Sequence, residues 1–425
     1  MITLIGFGVN DGDISLNAYK KLKECDKIFV RTSDSKSCKF LIKEGLPFTT
    51  FDDFYNSSRS FDTLNKKIVK EILKNKDCCF LVDGAVCEDE CCRIILSRTK
   101  NVKVFNGVSK TESALAKNAL GINYTAVSAF DVNLLKSGAT LPLVVYDMGD
   151  FFTASKVKEK LSDLFGEECV GFLVSGEKII KIKVYELDRE ENFAINPVFI
   201  LPDKKLQEKQ RFCYEDIISI INILRAPNGC PWDKVQTADS ILKNLIEECY
   251  ELVDAIKLDD DDKIEEEIGD VLLQCAFHTV FGQERGAFTN SDVISRVCSK
   301  LITRHTHVFG QDNAQDASRA LEVWEKNKHI EKNLTTVTDD VKAVPKIYPA
   351  LIRAQKTFKR AVKGFNDAVQ EQAVINEIKN FTSVGELLFS VCKLAYVKGV
   401  DAEEELTKVI EDYILKVQER ENLNK

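Results

Sequence analysis

The sequence predicts an α/β domain followed by all-helical units, and three observations support this fold class. Over residues 1–203, short β-rich runs alternate with helical patterns, an order typical of a largely parallel sheet. After Pro202, the apolar residues of nearly every segment recur with a helical period. A chain of 425 residues is also too long for one ordinary hydrophobic core. We therefore expect two or three domains.

The α/β part is predicted from runs rich in β-branched and aromatic residues. These strand-like runs are ITLIGFG, KIFVRT, CCFLVDG, NVKVFNG, LPLVVYD and CVGFLVSG. Helical patterns such as LNAYKKLKECD and ASKVKEKLSDLF lie between them. The runs KIIKIKVYEL and NPVFILP follow each other without a helix. An antiparallel portion of sheet is therefore expected to close this domain.

Two changes in composition mark the predicted domain boundaries. The polar stretch DKKLQEKQR follows Pro202 and separates residues 1–203 from a helical unit at 204–335. The stretch TTVTDDVKAVPKIYP interrupts the helices with two prolines, which favours a third unit at residues 336–425.

Charge, hydropathy and cysteine content exclude several classes of protein. The net charge of −8 argues against a nucleic-acid polymer as partner. No apolar run approaches the roughly 20 residues of a membrane helix, so no membrane partner is expected. No basic segment precedes the first strand, so a signal peptide is not expected either. The 14 cysteines, with Cys249 and Cys275 inside apolar periods, are expected to be reduced and mostly buried, as in a cytoplasmic protein.

The segment LKNLIEECYELVDAIKLDDDDKIEEEIGDVLLQCAFH predicts two amphipathic helices joined by a polar turn around Asp259–Asp262. Glu248 and Glu251 lie three and six positions after the first residue of one apolar stripe, and Glu267 and Asp270 hold the same places in the other. At about 100° per residue, both acidic pairs lie on the same flank of their stripes. Antiparallel packing through the stripes would bring the four carboxylates together. The stripes expected to be buried are Leu245, Cys249, Leu252 and Ile256, then Ile264, Ile268, Val271 and Cys275.

Two solvated acidic faces are the alternative, and any single glutamate is usually explained in that way. Converging carboxylates, however, repel one another by about 4 kcal/mol for a pair about 4 Å apart at an effective dielectric constant of about 20. A stable fold then needs a compensating cation, and ligands that are all oxygen suit magnesium or manganese better than zinc. The aspartates of the connecting turn, in contrast, are expected to be solvated.

The same segment resembles the MazG family of all-helical nucleoside triphosphate pyrophosphohydrolases. EECYE, a gap of 15 residues and EIGD match the family's EExxE…ExxD motif. LRAPNGCPWDKVQT upstream, and KLITRHTHVFG and WEKNK downstream, match further blocks in the same order. The resemblance covers about residues 212–330.

This resemblance implies hydrolysis of a nucleoside triphosphate to a nucleoside monophosphate and pyrophosphate. Glu248, Glu251, Glu267 and Asp270 would hold magnesium, or manganese, bridging the triphosphate, and a water activated by the metal would attack the α-phosphorus. Glu247 would orient or deprotonate that water. Clearance of damaged or noncanonical nucleotides is the biological role that we expect.

Five further side chains are candidates for substrate binding. Lys300 and Arg304, four residues apart on one helix face, would neutralise phosphate charge; alternatively they form an exposed basic face. Lys243 would meet the substrate, or pair with the glutamate four residues further on. Trp324 would stack on a base or belong to the core, and Lys328 lies in the matching WEKNK block.

The stretches YPALIRAQKTFKRAVKGF and GELLFSVCKLAYVKGVDAEEELTKVIEDY resemble the second MazG unit of longer family members. No EExxE helix precedes them, and the ExxD position is occupied by SVGE, with Ser383 for the first acid and Glu386 for the aspartate. We expect residues 336–425 to serve packing or dimerisation. Because a helical hairpin buries little by itself, and the resemblance implies a four-helix dimer core, we expect a homodimer.

The opening GFGVNDGDISLNAYKKLKECD resembles the tetrapyrrole methylase family, whose members bind S-adenosylmethionine between two α/β lobes. FLVDGAVCEDE lies where that family has a second cofactor loop. Gly6, Gly8 and Gly84 are therefore weak candidates for cofactor binding, and Asp11 stands where a dinucleotide fingerprint needs its third glycine. The usual Pro-Gly and His-Pro pairs of the two loops are replaced, which removes backbone geometry for close approach to a ligand. We expect a retained fold with methylation weakened or lost, and S-adenosylmethionine as a doubtful cofactor.

Three functions are open on the sequence. The leading hypothesis is a magnesium-dependent nucleoside triphosphate pyrophosphohydrolase, with nucleoside triphosphates as partners. A methyltransferase that uses S-adenosylmethionine, with an accessory helical half, is the second. A non-catalytic nucleotide-binding module is the third.

Overall fold

The structure is a computed structural model that describes residues 1–10, 12–58, 60–118, 123–193 and 197–423. Asp11, singled out in the first glycine-rich loop, lies outside these described residues. The chain forms two compact units, Met1–Glu284 and Arg285–Lys425. The first unit contains the α/β part and a helical part, and the second is helical, so the predicted fold class is confirmed. The boundaries after residues 203 and 335 stay predictions.

The first sheet is parallel and lies between two hydrophobic cores. Its strands are β1 (Ile2–Gly6), β2 (Ile28–Val30), β3 (Thr49–Thr50), β4 (Cys78–Val82) and β5 (Val102–Phe105). They pair in the order β3-β2-β4-β1-β5. Every residue of β1 and β4 is buried, because each face of the sheet carries its own apolar cluster. The helices of this part are α1 (Leu16–Lys23), α2 (Lys36–Lys43), α3 (Asp52–Asn56), α4 (Phe61–Lys74), α5 (Glu90–Arg98) and α6 (Lys110–Lys117).

The second sheet is mixed, and its antiparallel portion was predicted. Its strands are β6 (Thr125–Ser128), β7 (Leu143–Tyr146), β8 (Val170–Ser175), β9 (Lys178–Lys183) and β10 (Val198–Leu201). The order is β6-β7-β10-β8-β9; β6 and β7 are parallel, and the other pairs are antiparallel. The helices of this part are α7 (Phe151–Phe165) and α8 (Glu190–Phe193).

The expectation that no helix separates the last two β-rich runs was wrong. The four-residue α8 lies between β9 and β10. Its buried Asn192 donates from Nδ2 to the carbonyl oxygen of Glu186 over 2.8 Å, which ties the short helix to the turn before it. Short 3-10 turns occur at Val86–Glu88, Ala129–Leu134, Val184–Glu186 and Leu206–Glu208.

The helical part of the first unit is built around a long hairpin. Its helices are α9 (Tyr214–Arg225), α10 (Pro231–Val235), α11 (Leu242–Leu258) and α12 (Asp261–Glu284). The left-handed Asp259 (φ 56°) ends α11, and α12 begins two residues later. The connecting turn is therefore shorter than predicted, because Asp261 and Asp262 already belong to the first turn of α12. Their negative charges interact favourably with the positive end of the helix dipole there.

The apolar stripes of the hairpin are less buried than predicted. Leu245, Leu252, Ile264 and Val271 are half-buried, whereas Cys249, Ile256, Ile268 and Cys275 are exposed. Ile256 keeps 55% of its surface accessible. The physical reason is that α9 packs against the C-terminal part of α12, where Phe277 and Phe281 are buried, while the opposite face of the hairpin stays open to solvent.

The second unit is described by itself. Its helices are α13 (Asn290–Arg304), α14 (Thr306–Phe309), α15 (Ala317–Glu331), α16 (Val337–Lys342), α17 (Ala350–Phe365), α18 (Glu371–Lys379), α19 (Val384–Lys398) and α20 (Ala402–Leu423). Cys392 and Ala395 of α19 and Ala402 of α20 form a small buried cluster. Among the described helices of the whole chain, none combines the length and the apolarity needed to cross a membrane.

All 14 cysteines are free, as expected for reduced thiols. Only seven of the 14 are buried, so the expectation that most of the thiols are buried was wrong. Cys249 and Cys275 are exposed because they lie on the uncovered face of the α11–α12 hairpin.

Candidate metal centre

Three of the four acidic residues predicted to bind a metal converge on the α11–α12 hairpin. One carboxylate oxygen each from Glu248, Glu267 and Asp270 lies within 4.8 Å of the other two. Glu248 comes from α11 and the other two from α12, so the two-residue turn is what brings the acids together. All three side chains are half-buried.

Glu251 and Glu247 lie beside this trio of carboxylates. Glu251 is exposed, and its negative charge acts on the carboxyls of both Glu248 and Glu267. Glu247 is also exposed, and its charge acts on Glu248. The fourth predicted ligand and the candidate base are therefore close to the trio without belonging to it.

The trio is electrostatically unbalanced. Burial, and then the charges of Asp270 and Glu251, raise the pKa of Glu248. Burial, and then the charges of Glu251 and Glu266, raise the pKa of Glu267. No salt bridge between described residues involves any carboxylate of the trio. The acids therefore repel one another, and no cation of the described residues is paired with them to offset the repulsion.

The donor set fits a hard divalent cation. Oε2 of Glu267 is buried and finds no hydrogen-bond partner among the described residues. A buried acceptor without a partner is rare in folded proteins, and an ion that binds oxygen would satisfy it. Magnesium and manganese are the ions that such all-oxygen sites prefer.

Gln274 also belongs to this site and was not predicted. Its side chain is 7% exposed and interacts with the Glu248 carboxyl, which works against the rise in the pKa of Glu248. Gln274 follows Asp270 by four residues on α12, so it shares a helix face with the acids. That spacing is the signal from which the sequence could have identified it.

The substrate-binding candidates fall in both units. Lys243 is exposed on α11, and the alternative pairing with Glu247 is absent from the salt bridges between described residues. Lys300, Arg304, Trp324 and Lys328 belong to the second unit.

The alternative of an exposed basic face is wrong for Arg304. This side chain is only 6% exposed, because α13 packs against α15. Its Nε and Nη2 donate to the Glu331 carboxylate over 2.7 and 3.1 Å. Trp324 is half-buried, with the Arg304 guanidinium 5.3 Å and the Lys328 ammonium 4.9 Å from its ring centre. The roles of these residues and of the half-buried Lys300 in substrate binding stay predictions.

The three candidate glycines of the N-terminal part do meet one another. Gly8 and Gly84 have φ of 93° and 85° and form an antiparallel bridge. A Cβ atom on Gly6 would lie 2.4 Å from the backbone nitrogen of Gly107 and 2.7 Å from the carbonyl oxygen of Gly84. Close approach of three loops therefore requires these glycines, whether or not a ligand binds there. Gly107 was not predicted.

A cavity of about 810 Å³ adjoins these loops and is rich in carboxylates. In contrast to the hairpin, most of its acids have partners. Arg31 bonds Asp89 over 2.7 Å, and Lys110 bonds Asp147 over 3.2 Å. Buried Glu88 accepts hydrogen bonds from side-chain and backbone donors at the N-terminus of α6 over 2.7–3.1 Å. We call this cavity the N-terminal cleft.

In the second, degenerate helical segment, the acidic residue Glu386 forms hydrogen bonds at the start of its own helix. Ser383 caps the N-terminus of α19, accepting from the backbone of Glu386. The Glu386 carboxylate in turn accepts from the backbone nitrogen of Thr382 over 3.0 Å. The residue in the position of the motif's aspartate therefore stabilises the start of its own helix.

The acidic centre lies in a segment of the chain that matches a known protein family. The model of the MazG nucleotide pyrophosphohydrolase domain matches residues 236–309. The nucleoside triphosphate pyrophosphohydrolase/pyrophosphatase MazG of Thermotoga maritima is 36% identical over 225 residues, which cover 49% of this chain and 86% of that protein. Uncharacterized protein YabN of Bacillus subtilis is 35% identical over 379 residues, covering 84% of this chain and 76% of that protein.

Solved structures also align with this chain. A uroporphyrin-III-C-methyltransferase from Thermus thermophilus aligns with 47% of this chain and 93% of its own, at 15% identity and a TM-score of 0.35. A similarity of this strength says nothing about what the N-terminal cleft binds.

Proposed function

The chain belongs to the MazG family of nucleotide pyrophosphohydrolases, and we propose that its acidic centre hydrolyses nucleoside triphosphates. Water adds to the α-phosphorus, and the bond from that phosphorus to the oxygen bridging the α- and β-phosphates breaks. The products are a nucleoside monophosphate and pyrophosphate. The observation that carries this proposal is the convergence of Glu248, Glu267 and Asp270 within 4.8 Å inside the matched segment.

We propose magnesium as the ion of this centre, with manganese as a substitute. Glu248, Glu267 and Asp270 would hold it, and the neighbouring charge of Glu251 would strengthen its attraction. When bound, such an ion neutralises phosphate charge and makes water a better nucleophile. The unbalanced charge of the trio supports this assignment, because an ion would relieve the repulsion between its carboxylates.

Two exposed side chains of α11 complete the proposed site. Glu247 precedes the ligand Glu248 and is open to solvent, so it can accept the proton of the attacking water. Lys243, one helical turn before Glu247, would contact the phosphates of the substrate. Both roles are proposals, and each predicts a loss of rate when the charge is removed.

We further propose that the protein is a cytoplasmic homodimer that removes damaged or noncanonical nucleotides. The exposed apolar face of the hairpin, which includes Ile246, Tyr250, Val253 and Leu272, supports dimer formation, because such faces are usually covered. The free cysteines support a reducing compartment. Light scattering on the purified chain tests the dimer, and a panel of common and damaged triphosphates tests the physiological role.

A product assay tests the reaction. The protein is incubated with nucleoside triphosphates and magnesium, and pyrophosphate and orthophosphate are measured separately. We expect pyrophosphate with an equal amount of nucleoside monophosphate, and no product after addition of a chelator. Asp270→Asn should lose the activity, whereas Glu265→Gln, which removes an exposed charge from the same helix, should keep it. Orthophosphate as the product, or full activity of Asp270→Asn, would contradict the proposal, and binding without turnover would favour a non-catalytic nucleotide-binding module.

A further inference from the structure

The polar stripe of α12 does not end at the carboxylates. Glu267, Asp270, Gln274 and His278 follow one another at intervals of three, four and four residues. Residues at this spacing share one face of a helix. Phe277, which follows Gln274 by three residues, and Val280 are buried in a cluster that α12 shares with α9. The stripe therefore continues from the metal centre towards the C-terminal end of α12.

Gln274 and His278 resemble Glu267 in one respect. Oε1 of Gln274, Nε2 of His278 and Oε2 of Glu267 are all buried, and none has a hydrogen-bond partner among the described residues. Such atoms are uncommon in folded proteins because desolvation without a compensating bond is unfavourable. Three of the four residues of this stripe carry such an atom, which indicates a missing ligand rather than three separate packing faults.

The surroundings of Gln274 determine which of its atoms is available. The side chain is 7% exposed, and its amide group interacts with the Glu248 carboxyl. A carboxylate only accepts hydrogen bonds, so the NH₂ group of Gln274 faces Glu248 and its carbonyl oxygen is the free atom. That oxygen needs a donor from a ligand. The ring of His278 packs edge-to-face on Phe281, with centres 5.9 Å apart, which holds the imidazole in place while its Nε2 is unsatisfied.

We propose that Gln274 and His278 form the nucleoside-binding part of the site, in line with the carboxylates that hold the phosphates. This inference rests on the proposed function. Along the helix axis, Gln274 lies about 6 Å and His278 about 12 Å beyond Asp270. A nucleotide whose phosphates are held at the trio would therefore place its sugar beside Gln274 and its base beside His278. Gln274 accepts a hydrogen bond from a sugar hydroxyl, and His278 bonds the polar edge of the base.

Binding of two probes separates this role from an effect on the metal ligands. Inorganic tripolyphosphate carries the phosphates without a nucleoside, and the α,β-methylene analogues of ATP, GTP, CTP and UTP carry both without being cleaved between the α- and β-phosphates. Calorimetry with magnesium gives the dissociation constant of each probe for the full chain. The variants are Gln274→Leu and His278→Phe, which remove the polar atoms and keep similar volume. Gln283→Leu, the same change in half-buried surroundings further along α12, is the matched control.

We expect each variant to weaken the analogue that binds best by about tenfold, with less than about twofold change for tripolyphosphate. Gln283→Leu should change neither. Equal weakening of both probes would show that the residues act only through the metal centre, and would overturn the proposal. Unchanged affinity for the analogues would overturn it as well, and a higher melting temperature of Gln274→Leu would then identify Oε1 as a packing fault.

Failure of the proposed subsite can be distinguished from failure of the proposed reaction. If the wild-type chain releases no pyrophosphate, but both variants bind the analogue more weakly and tripolyphosphate as before, the reaction is wrong and the subsite stands. If it releases pyrophosphate and the variants bind all probes as the wild type does, the reaction stands and the subsite is wrong.

Discussion

Two regions of the first unit are rich in carboxylates, and only one of them has the properties of a metal centre. In the N-terminal cleft, cations and helix N-termini neutralise most of the acids. Burial disfavours ionisation of Glu88, but hydrogen bonds from Ala85, Lys110, Ser109 and Thr111 outweigh it and hold the pKa of Glu88 below its usual value. On the hairpin, burial and mutual repulsion raise the pKa values of Glu248 and Glu267. Unpaired charge, rather than the number of acids, therefore marks an acidic metal site.

The largest expected difference between the two regions is in catalytic rate. Glu267→Gln should lower the rate of pyrophosphate release at least about a hundredfold, because it removes a proposed metal ligand. Glu88→Gln, the same chemical change in the cleft, should leave the rate within about twofold at 25 °C. Initial rates under saturating magnesium measure both. Similar losses in the two variants would remove the distinction between the regions.

The same pair of variants should have opposite effects on stability without metal. Glu88→Gln replaces a buried acceptor by a group with two N–H donors, and should lower the free energy of unfolding by about 2 kcal/mol. Glu267→Gln removes one of several repelling charges and should raise it. Urea unfolding in the presence of a chelator gives both values. Destabilisation by Glu267→Gln would mean that the trio is already compensated within the protein.

Stabilisation by magnesium should depend on pH. Because the folded-state pKa values of Glu248 and Glu267 are raised, the stability that these groups contribute is fully present below their unfolded pKa values and is lost as pH rises through their folded pKa values. Magnesium needs the ionised carboxylates, so the rise in melting temperature on its addition should be larger at pH 8 than at pH 5. Thermal unfolding at both values measures this. An equal rise at both would place the ion elsewhere, and Asp270→Asn should abolish the rise.

The smallest expected signal concerns the N-terminal cleft. Arg31 and Lys110 are already bound to Asp89 and Asp147, and the N-terminus of α6 is occupied by Glu88. These groups are therefore not free to bind the carboxylate of S-adenosylmethionine. Calorimetry with millimolar cofactor should detect no binding. Clear heat of binding, with methyl transfer to any acceptor, would revive the methyltransferase alternative.

Much of the fold and of the site could be predicted because local patterns carried the information. The alternation of strands and helices predicted the α/β part, and the spacing of Glu248, Glu267 and Asp270 predicted that they converge. Burial of the stripes was predicted less well. Ile256 and Ile268 have the right period, but whether they are covered depends on surfaces that meet from elsewhere, and these two remain exposed.

By itself the sequence determined which residues share a helix face and which segments belong to the MazG family, since both depend on spacing along the chain. Which charges are compensated, in contrast, follows from the packing of the folded chain. Arg304 is bound to Glu331 and Glu88 to the start of α6, whereas Glu267 of the trio and Gln274 each keep a buried oxygen without a partner in the described chain. Pairing depends on distances between residues remote in sequence, and periodicity within one helix does not specify those distances.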